Sequence, residues 1–272
     1  MAKKKPAPKS PMPAEPSAPA EKPRKPRGGK FVLSSAPALT GQVAVVTGGA
    51  KGIGLAISEA LAAEGCKVIV FGRDRAALRH ATTVLSRYGN PVLPIEGDVT
   101  QEISVISLFE EVRRRFGRVD ILVNNAGIAP GATIAETHLD IWRKTIDTNL
   151  TGTFLCCRAA LPLMKAGGSI VNNLSVVAEM VFPKMGAYAA SKHGAMGFTK
   201  VLRLEVKDRG IRVIALLPGA VDTDIWDQFW PDAPRERMIA PESVASALVA
   251  ALRLPADSTV EVLRIVGTAG TL

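Results

Sequence analysis

The stretch Val43-Ala44-Val45-Val46-Thr47-Gly48-Gly49-Ala50-Lys51-Gly52-Ile53-Gly54 runs from apolar β-formers through a glycine cluster into a helical pattern. Val43–Val46 reads as a buried strand. Glycines 48, 52 and 54 allow a tight turn, close approach of a pyrophosphate and close packing of helix on strand. The helix start then offers free backbone N–H groups and a positive dipole end to phosphates. A glycine cluster alone is a weak signal because turns collect glycine; its place on the first strand-helix junction gives it meaning. The spacing is G-x-x-x-G-x-G rather than G-x-G-x-x-G.

Outward from this stretch, Lys67–Phe71, Val92–Ile95, Ile121–Val123, Ser169–Asn173, Arg212–Leu217 and Val260–Ile265 read as further buried strands. Helical patterns lie between them, near 52–64, 73–87, 101–117, 137–165, 186–208 and 241–254. Continuous Val/Ile/Leu runs separated by helices signify a parallel sheet covered on both faces. The expected fold is therefore α/β, a single Rossmann-type doubly wound parallel sheet of about seven strands. Gly65 is expected to end the first helix in a left-handed cap, and Pro241 sits where a first-turn proline is tolerated. Such a sheet binds its ligand beyond the carboxyl ends of its strands, which is where chemistry is sought.

The 272 residues carry 34 Lys+Arg against 25 Asp+Glu, a net +9 that is unevenly spread. Residues 1–30 hold nine basic and two acidic residues, so the remainder is nearly neutral at +2. That argues against a nucleic-acid-binding domain, which needs a concentrated basic face. The first thirty residues also hold eight of the 19 prolines and lack Val, Ile, Leu, Phe, Trp and Tyr. Without apolar side chains such a segment cannot offset its ordering entropy. The expected organisation is a disordered basic tail over 1–36 and one folded domain over 37–272. The tail lacks the apolar stretch of a secretory signal, and no run of 18 apolar residues suggests a membrane span. Cys66, Cys156 and Cys157 lack metal spacing and read as small packing residues in a reducing, cytoplasmic setting. His80, His138 and His193 lack ligand spacing, so no metal is expected.

The second strand ends Val70-Phe71-Gly72-Arg73. A dinucleotide fold places an acid here on the ribose 2′-hydroxyl, or a basic residue on a 2′-phosphate. Gly72 stands in the acid's place, and Arg73 and Lys51 supply two cations, which favours NADP over NAD. Asp74 reads as a first-turn acid of the next helix. Tyr188 and Lys192 lie four apart in a helical stretch and share one face. A phenol beside an ammonium group ionises more easily than a free one, as proton transfer paired with hydride transfer requires. Alone, Y-x-x-x-K also fits an ordinary amphipathic face. Ser175, at the end of a buried strand, would place a hydroxyl at the sheet's carboxyl edge.

These residues together resemble the short-chain dehydrogenase/reductases over about residues 38–267. The resemblance rests on Thr47-Gly48-x-x-x-Gly52-x-Gly54, Asp98-Val99, Asn124-Asn125-Ala126-Gly127, Asn149, Ser175, Tyr188-x-x-x-Lys192 and Pro218-Gly219 with Thr223. It implies that Tyr188 is the general acid, that Ser175 polarises the carbonyl oxygen, and that Lys192 lowers the Tyr188 pKa and binds the nicotinamide ribose. Asn149 would hold a water of a proton relay. Lys51, Ile53 and Arg73 would join the three motif glycines around the phosphates. Asp98 would accept from the adenine amino group with help from Val99; a helix N-cap reads nearly as well. Asn124 and Gly127 would line the adenosine side, with Asn125 and Ala126 in the same cofactor-binding stretch. Thr223 and the Val221 backbone, after Pro218-Gly219, would fix the carboxamide.

Leu174-Ser175-Val176-Val177-Ala178-Glu179 is similar to the corresponding segment of beta-ketoacyl-carrier-protein reductases, but Ala178 and Glu179 depart from it, as does the chain's ending. Residues 222–240, with Trp226, Phe229 and Trp230, are expected to cover an apolar carbonyl or alcohol substrate. The implied assembly is a homodimer or homotetramer. A non-catalytic dinucleotide sensor or scaffold is the alternative; it could have lost the tyrosine, lysine or serine that this chain retains.

Overall fold

The computed structural model describes residues 38–228, 230–255, 257–268 and 270. The expected tail over 1–36, and Phe229, lie outside them. Successive residues of β1 (Val43–Thr47) leave the strand on opposite faces. Val43 and Val45 enter a core with Ile69, Leu122, Ile170 and Val213. Ala44 and Val46 enter a second core with Val68, Val70, Val123 and Leu216. A strand buried on both faces has no solvent-facing positions for polar residues, which explains the continuous apolar runs.

β2 (Lys67–Gly72), β3 (Val92–Glu96), β4 (Ile121–Asn124), β5 (Ser169–Asn173), β6 (Arg212–Pro218) and β7 (Val262–Ile265) complete the sheet. Among the described residues it has seven strands, all parallel, in the order β3-β2-β1-β4-β5-β6-β7. β7 begins later than the apolar run at Val260 suggested. Pro94 lies in β3, an edge strand, where a residue without an N–H is tolerated.

The helices are α1 (Gly52–Ala63), α2 (Arg75–Leu85), α3 (Glu102–Phe116), α4 (Leu139–Ile146), α5 (Gly152–Ala160), α6 (Gly186–Val206) and α7 (Pro241–Leu252). Ile57 and Leu61 of α1, Leu78 and Leu85 of α2, and Leu248 and Leu252 of α7 fill the core on one face. Leu108 of α3, Leu155 of α5 and Leu202 of α6 fill the other. Leu122, fully buried in β4, is the kind of side chain whose truncation to Ala costs ~2–5 kcal/mol.

Gly65 ends α1 as expected. Its φ is +85°, and the N–H groups of Gly65 and Cys66 reach back to the carbonyls of Ala62 and Leu61, both at 3.0 Å. Pro241 opens the first turn of α7. The single helix expected over 137–165 is instead divided. A π-helical turn, Asp147–Thr151, separates α4 from α5, and a 3₁₀ turn around Pro162 follows. One wide turn inside a helix commonly marks a functional position, and this one carries Asn149. Because every strand runs the same way, Thr47, Asn124, Asn173 and Pro218 end at one edge of the sheet, and the loops that follow them emerge together.

Candidate active site

The glycine loop begins with Gly48 at φ +61° and Gly52 at φ +49°, left-handed conformations that glycine adopts without strain. A Cβ on Gly54 would stand 2.1 Å from the Gly48 carbonyl oxygen and 2.4 Å from Asn125 Nδ2. Behind the loop, Asn125 Nδ2 donates to the carbonyls of Thr47 and Gly48, both at 3.1 Å. Thr47 Oγ1 accepts from the Asn125 and Ala126 N–H groups at 3.0 and 3.2 Å. Asn125 and Ala126 thus hold the loop in shape. Ile53 is partly buried and packs on the core behind α1. Lys51, at the N-cap of α1, is extended and makes no side-chain cap, so the helix start keeps donors for an anion. A Cβ on Gly52 would lie 3.0 Å from Thr223 Cγ2, which brings the segment after β6 to the mouth of the loop.

Pro218 ends β6, and Gly219 N–H donates to the Ile265 carbonyl at 2.8 Å. The Val221 carbonyl accepts from Trp226 Nε1 at 2.8 Å and Thr223 Oγ1 at 3.5 Å. Trp226 packs edge-on against Trp230 with centroids 6.1 Å apart. Arg235 ties this segment down through Asp222 (2.8 Å), the Thr223 carbonyl (2.7 Å) and Asp227.

At the end of β2, a Cβ on Gly72 would meet nothing within 4 Å. Lys51 Nζ pairs with Asp74 at 2.7 Å, and Arg73 with Asp98 at 3.6 Å. Asp74 is the N-cap of α2, accepting from the Ala76 and Ala77 N–H groups; Lys51 and these donors hold its carboxyl down at about 2. Asp98 Oδ1 accepts from the Thr100 N–H at 2.9 Å. That closes a short turn; the N-cap of α3 is Gln101. Val99 is buried, and a Cβ on Gly152 would stand 2.9 Å from its Cγ2. The open space at Gly72 and the uncapped helix start fit the phosphates of a dinucleotide, with Lys51 and Arg73, each paired to a carboxylate, beside them.

Tyr188 and Lys192 lie one turn apart on α6, and Lys192 Nζ stands 5.5 Å from the centroid of the Tyr188 ring. Lys192 is buried and donates to the Asn173 carbonyl at 2.9 Å. Burial pulls its ammonium down to about 8. Burial pushes the Tyr188 phenol up to about 12, and a hydrogen bond with Ser175 works against that rise. The lowering expected from Lys192 does not prevail in this geometry: the cation faces the ring while desolvation acts on the hydroxyl. Ser175 follows β5 and its Oγ accepts from the Val177 N–H at 3.1 Å. Asn149 Oδ1 accepts from the Ile128 N–H and Nδ2 donates to the Ile128 carbonyl, each at 2.9 Å, with Ser191 Oγ at 3.0 Å. A Cβ on Gly127 would stand 3.2 Å from Asn149 Oδ1, which it would crowd, and 3.8 Å from Lys192 Nζ, an ordinary contact.

Asn124 corrects an expectation. Its amide does not face the dinucleotide edge; Nδ2 donates to Asn172 Oδ1 at 2.9 Å and to Cys157 Sγ at 3.2 Å within the core. Alternation along β4 turns its side chain into the helix-covered face. Asn173 was not among the expected site residues, yet it contacts both Lys192 and Asn125. The signal for it was the pair Asn172-Asn173, two amides at the end of a buried strand.

Residues 42–234 match the short chain dehydrogenase family. The chain belongs to this family. A 3-oxoacyl-[acyl-carrier-protein] reductase from Synechocystis sp. is 36% identical over 219 residues, 78% of this chain and 89% of the relative. The 3beta-hydroxysteroid dehydrogenase 1 of Eggerthella lenta is 38% identical over 223 residues, 77% of this chain and 85% of the relative. Among solved structures, an alcohol dehydrogenase from Thermococcus sibiricus complexed with 5-hydroxy-NADP superposes with a TM-score of 0.78 at 32% identity, covering 82% of this chain and 95% of the other. This short chain dehydrogenase is thus an oxidoreductase of a family acting on small molecules. Among the described residues, no helix is long and apolar enough to cross a membrane.

Proposed function

We propose that the protein is an NADP(H)-dependent oxidoreductase that interconverts a carbonyl group and an alcohol. The observation that carries this reading is the meeting, at one sheet edge, of the glycine loop with the group formed by Ser175, Tyr188 and Lys192. When bound, the nicotinamide supplies or takes up the hydride. Tyr188, whose phenol is protonated in the neutral range, gives that proton to the carbonyl oxygen during reduction and is reprotonated from solvent by way of Lys192; in oxidation the same route must first withdraw the phenolic proton before the oxygen can accept the alcohol's. Ser175 hydrogen-bonds the same oxygen and polarises it. Lys192 holds positive charge beside the phenol and binds the ribose hydroxyls, and Asn149 keeps the Ile128 backbone in place at the relay.

Gly48, Lys51, Gly52, Gly54 and Arg73 bind the phosphates, Asp98 and Val99 the adenine, and Val221 and Thr223 the carboxamide. NADP rather than NAD is supported by the open space over Gly72 with Arg73 and Lys51 beside it. The Trp226–Trp230 pair and exposed Met180 and Val181 support an apolar substrate. Exposed Trp142 and Phe154 support a homo-oligomer, and the buried free thiols of Cys66, Cys156 and Cys157 support a reducing compartment.

The test is NADPH oxidation followed at its absorbance over a panel of ketones and aldehydes of graded size and polarity, with the reverse reaction on the matching alcohols. Turnover that prefers bulky apolar carbonyls and NADPH is expected. Tight dinucleotide binding with no turnover on any panel member would favour the sensor reading instead.

A further inference from the structure

We infer that Asn173 is a positioning residue that couples the dinucleotide loop to Lys192. Its backbone carbonyl accepts from Lys192 Nζ at 2.9 Å. On the same residue, Nδ2 donates to Asn125 Oδ1 at 2.8 Å. Asn125 in turn holds the Thr47 and Gly48 carbonyls through its own Nδ2. A continuous path thus runs from the glycine loop to the ammonium through two amide side chains and one peptide unit.

The orientation of both amides is forced. Asn125 must turn its NH₂ toward two carbonyls, which presents its oxygen to Asn173; Asn173 must then answer with its own NH₂. The consequence is an orphan: among the described residues, the buried Oδ1 of Asn173 has no hydrogen-bond partner. A buried unpaired acceptor costs stability, and an apolar side chain of similar size would remove it. Packing alone therefore does not account for an amide at the end of β5. Holding Asn125, and with it the loop, does.

The inference rests on the reading that the dinucleotide lies on the glycine loop. The test titrates NADPH and NADH by fluorescence and measures thermal unfolding in their absence, for the full chain, Asn173→Leu, Asn125→Ala and the double variant. Asn173→Leu should weaken NADPH about tenfold, the scale of one lost hydrogen-bonded support, without lowering the melting temperature. Because Asn173 acts on the loop through Asn125, the two losses should not add in the double variant. Asn173→Leu retains the backbone carbonyl that accepts from Lys192, so the alkaline fall in activity should keep its position while NADPH affinity falls. Should Asn173→Leu fail to fold, the isosteric Asn173→Asp carries the test, setting acceptor against acceptor at Asn125 Oδ1 and weakening NADPH at least as much. Wild-type affinity in the folded variant, additive losses, or an affinity loss that merely tracks a loss of fold stability would each overturn the coupling. A wild-type protein that binds neither dinucleotide would overturn the site reading and this inference with it.

Discussion

Lys192 Nζ lies 5.5 Å from the centroid of the Tyr188 ring, and one cause moves the two groups apart in pH. Burial takes the phenol up to about 12 and the ammonium down to about 8. Of the two groups, the lysine therefore changes its charge nearer neutrality, where the phenol is still protonated.

The first prediction follows for activity. Lys192 is charged below about pH 8 and neutral above it, so kcat/KM for carbonyl reduction should fall as pH rises through that value. Lys192→Met should be far less active and should lack this alkaline limb. A wild-type profile that stays flat through pH 8 contradicts the role given to the lysine.

The same shift predicts a stability effect. The folded chain holds the Lys192 proton more weakly than the unfolded chain, whose lysine titrates near 10.5. The unfolded state therefore binds more protons between about 8 and 10.5, and this contribution makes stability rise with pH across that window. The burial penalty is full below about 8, where it amounts to roughly 3 kcal/mol. Lys192→Met should raise the melting temperature at pH 7, and the gain should shrink as pH approaches 10.5. A gain independent of pH would show that the charge is not its source.

Tyr188→Phe removes the phenolic proton and leaves the ring over Lys192. Turnover should drop by ~10²–10⁴-fold with NADPH affinity nearly unchanged. A folded variant that retains most of its turnover would remove Tyr188 from the acid's role.

Arg73 and Gly72 should set cofactor choice. Arg73→Ala should weaken NADPH by roughly 1.5–3 kcal/mol and NADH much less. Gly72→Asp has room for its side chain and should repel a 2′-phosphate, shifting preference toward NADH. Equal loss for both cofactors in Arg73→Ala would refute the assignment.

Gly54→Ala forces a Cβ to within 2.1 Å of the Gly48 carbonyl, a contact that only a backbone shift relieves. Overpacking of this kind costs ~1–3 kcal/mol, so the melting temperature should fall and dinucleotide binding should weaken together. An unchanged binding titration would mean that the loop tolerates displacement.

Six of the seven strands were legible within one residue at each end: β1, β2, β4 and β6 are buried on both faces and read as apolar runs, while the edge strand β3 and β5, which ends in two amides, still carry enough Val, Ile and Leu to mark them. The seventh was overextended: Val260 continues the run, but pairing with β6 begins at Val262. The break within 137–165 was not legible, since a single π turn adds one residue to a helix that otherwise continues on both sides. Tyr188, Lys192, Ser175 and the glycines stand out in the sequence because spacing and strand ends mark them. The actual partners of Lys51 and Arg73, the inward turn of Asn124 and the bridging by Asn173 depend on contacts between strands distant in sequence, which spacing along one chain does not encode.

The strand order has a consequence for how the protein is made. β1 pairs with β2 on one side and with β4 on the other, Ala44 meeting Val68 and Ile121. At a synthesis rate of ~5–20 residues per second, the segment carrying Ile121 emerges ~4–15 s after Ala44. During that interval the glycine loop and its first two strands can assemble while the far edge of β1, with its unpaired N–H and C=O groups, waits without a neighbour. A nascent chain paused between residues 100 and 120 would expose that edge to pairing with another chain.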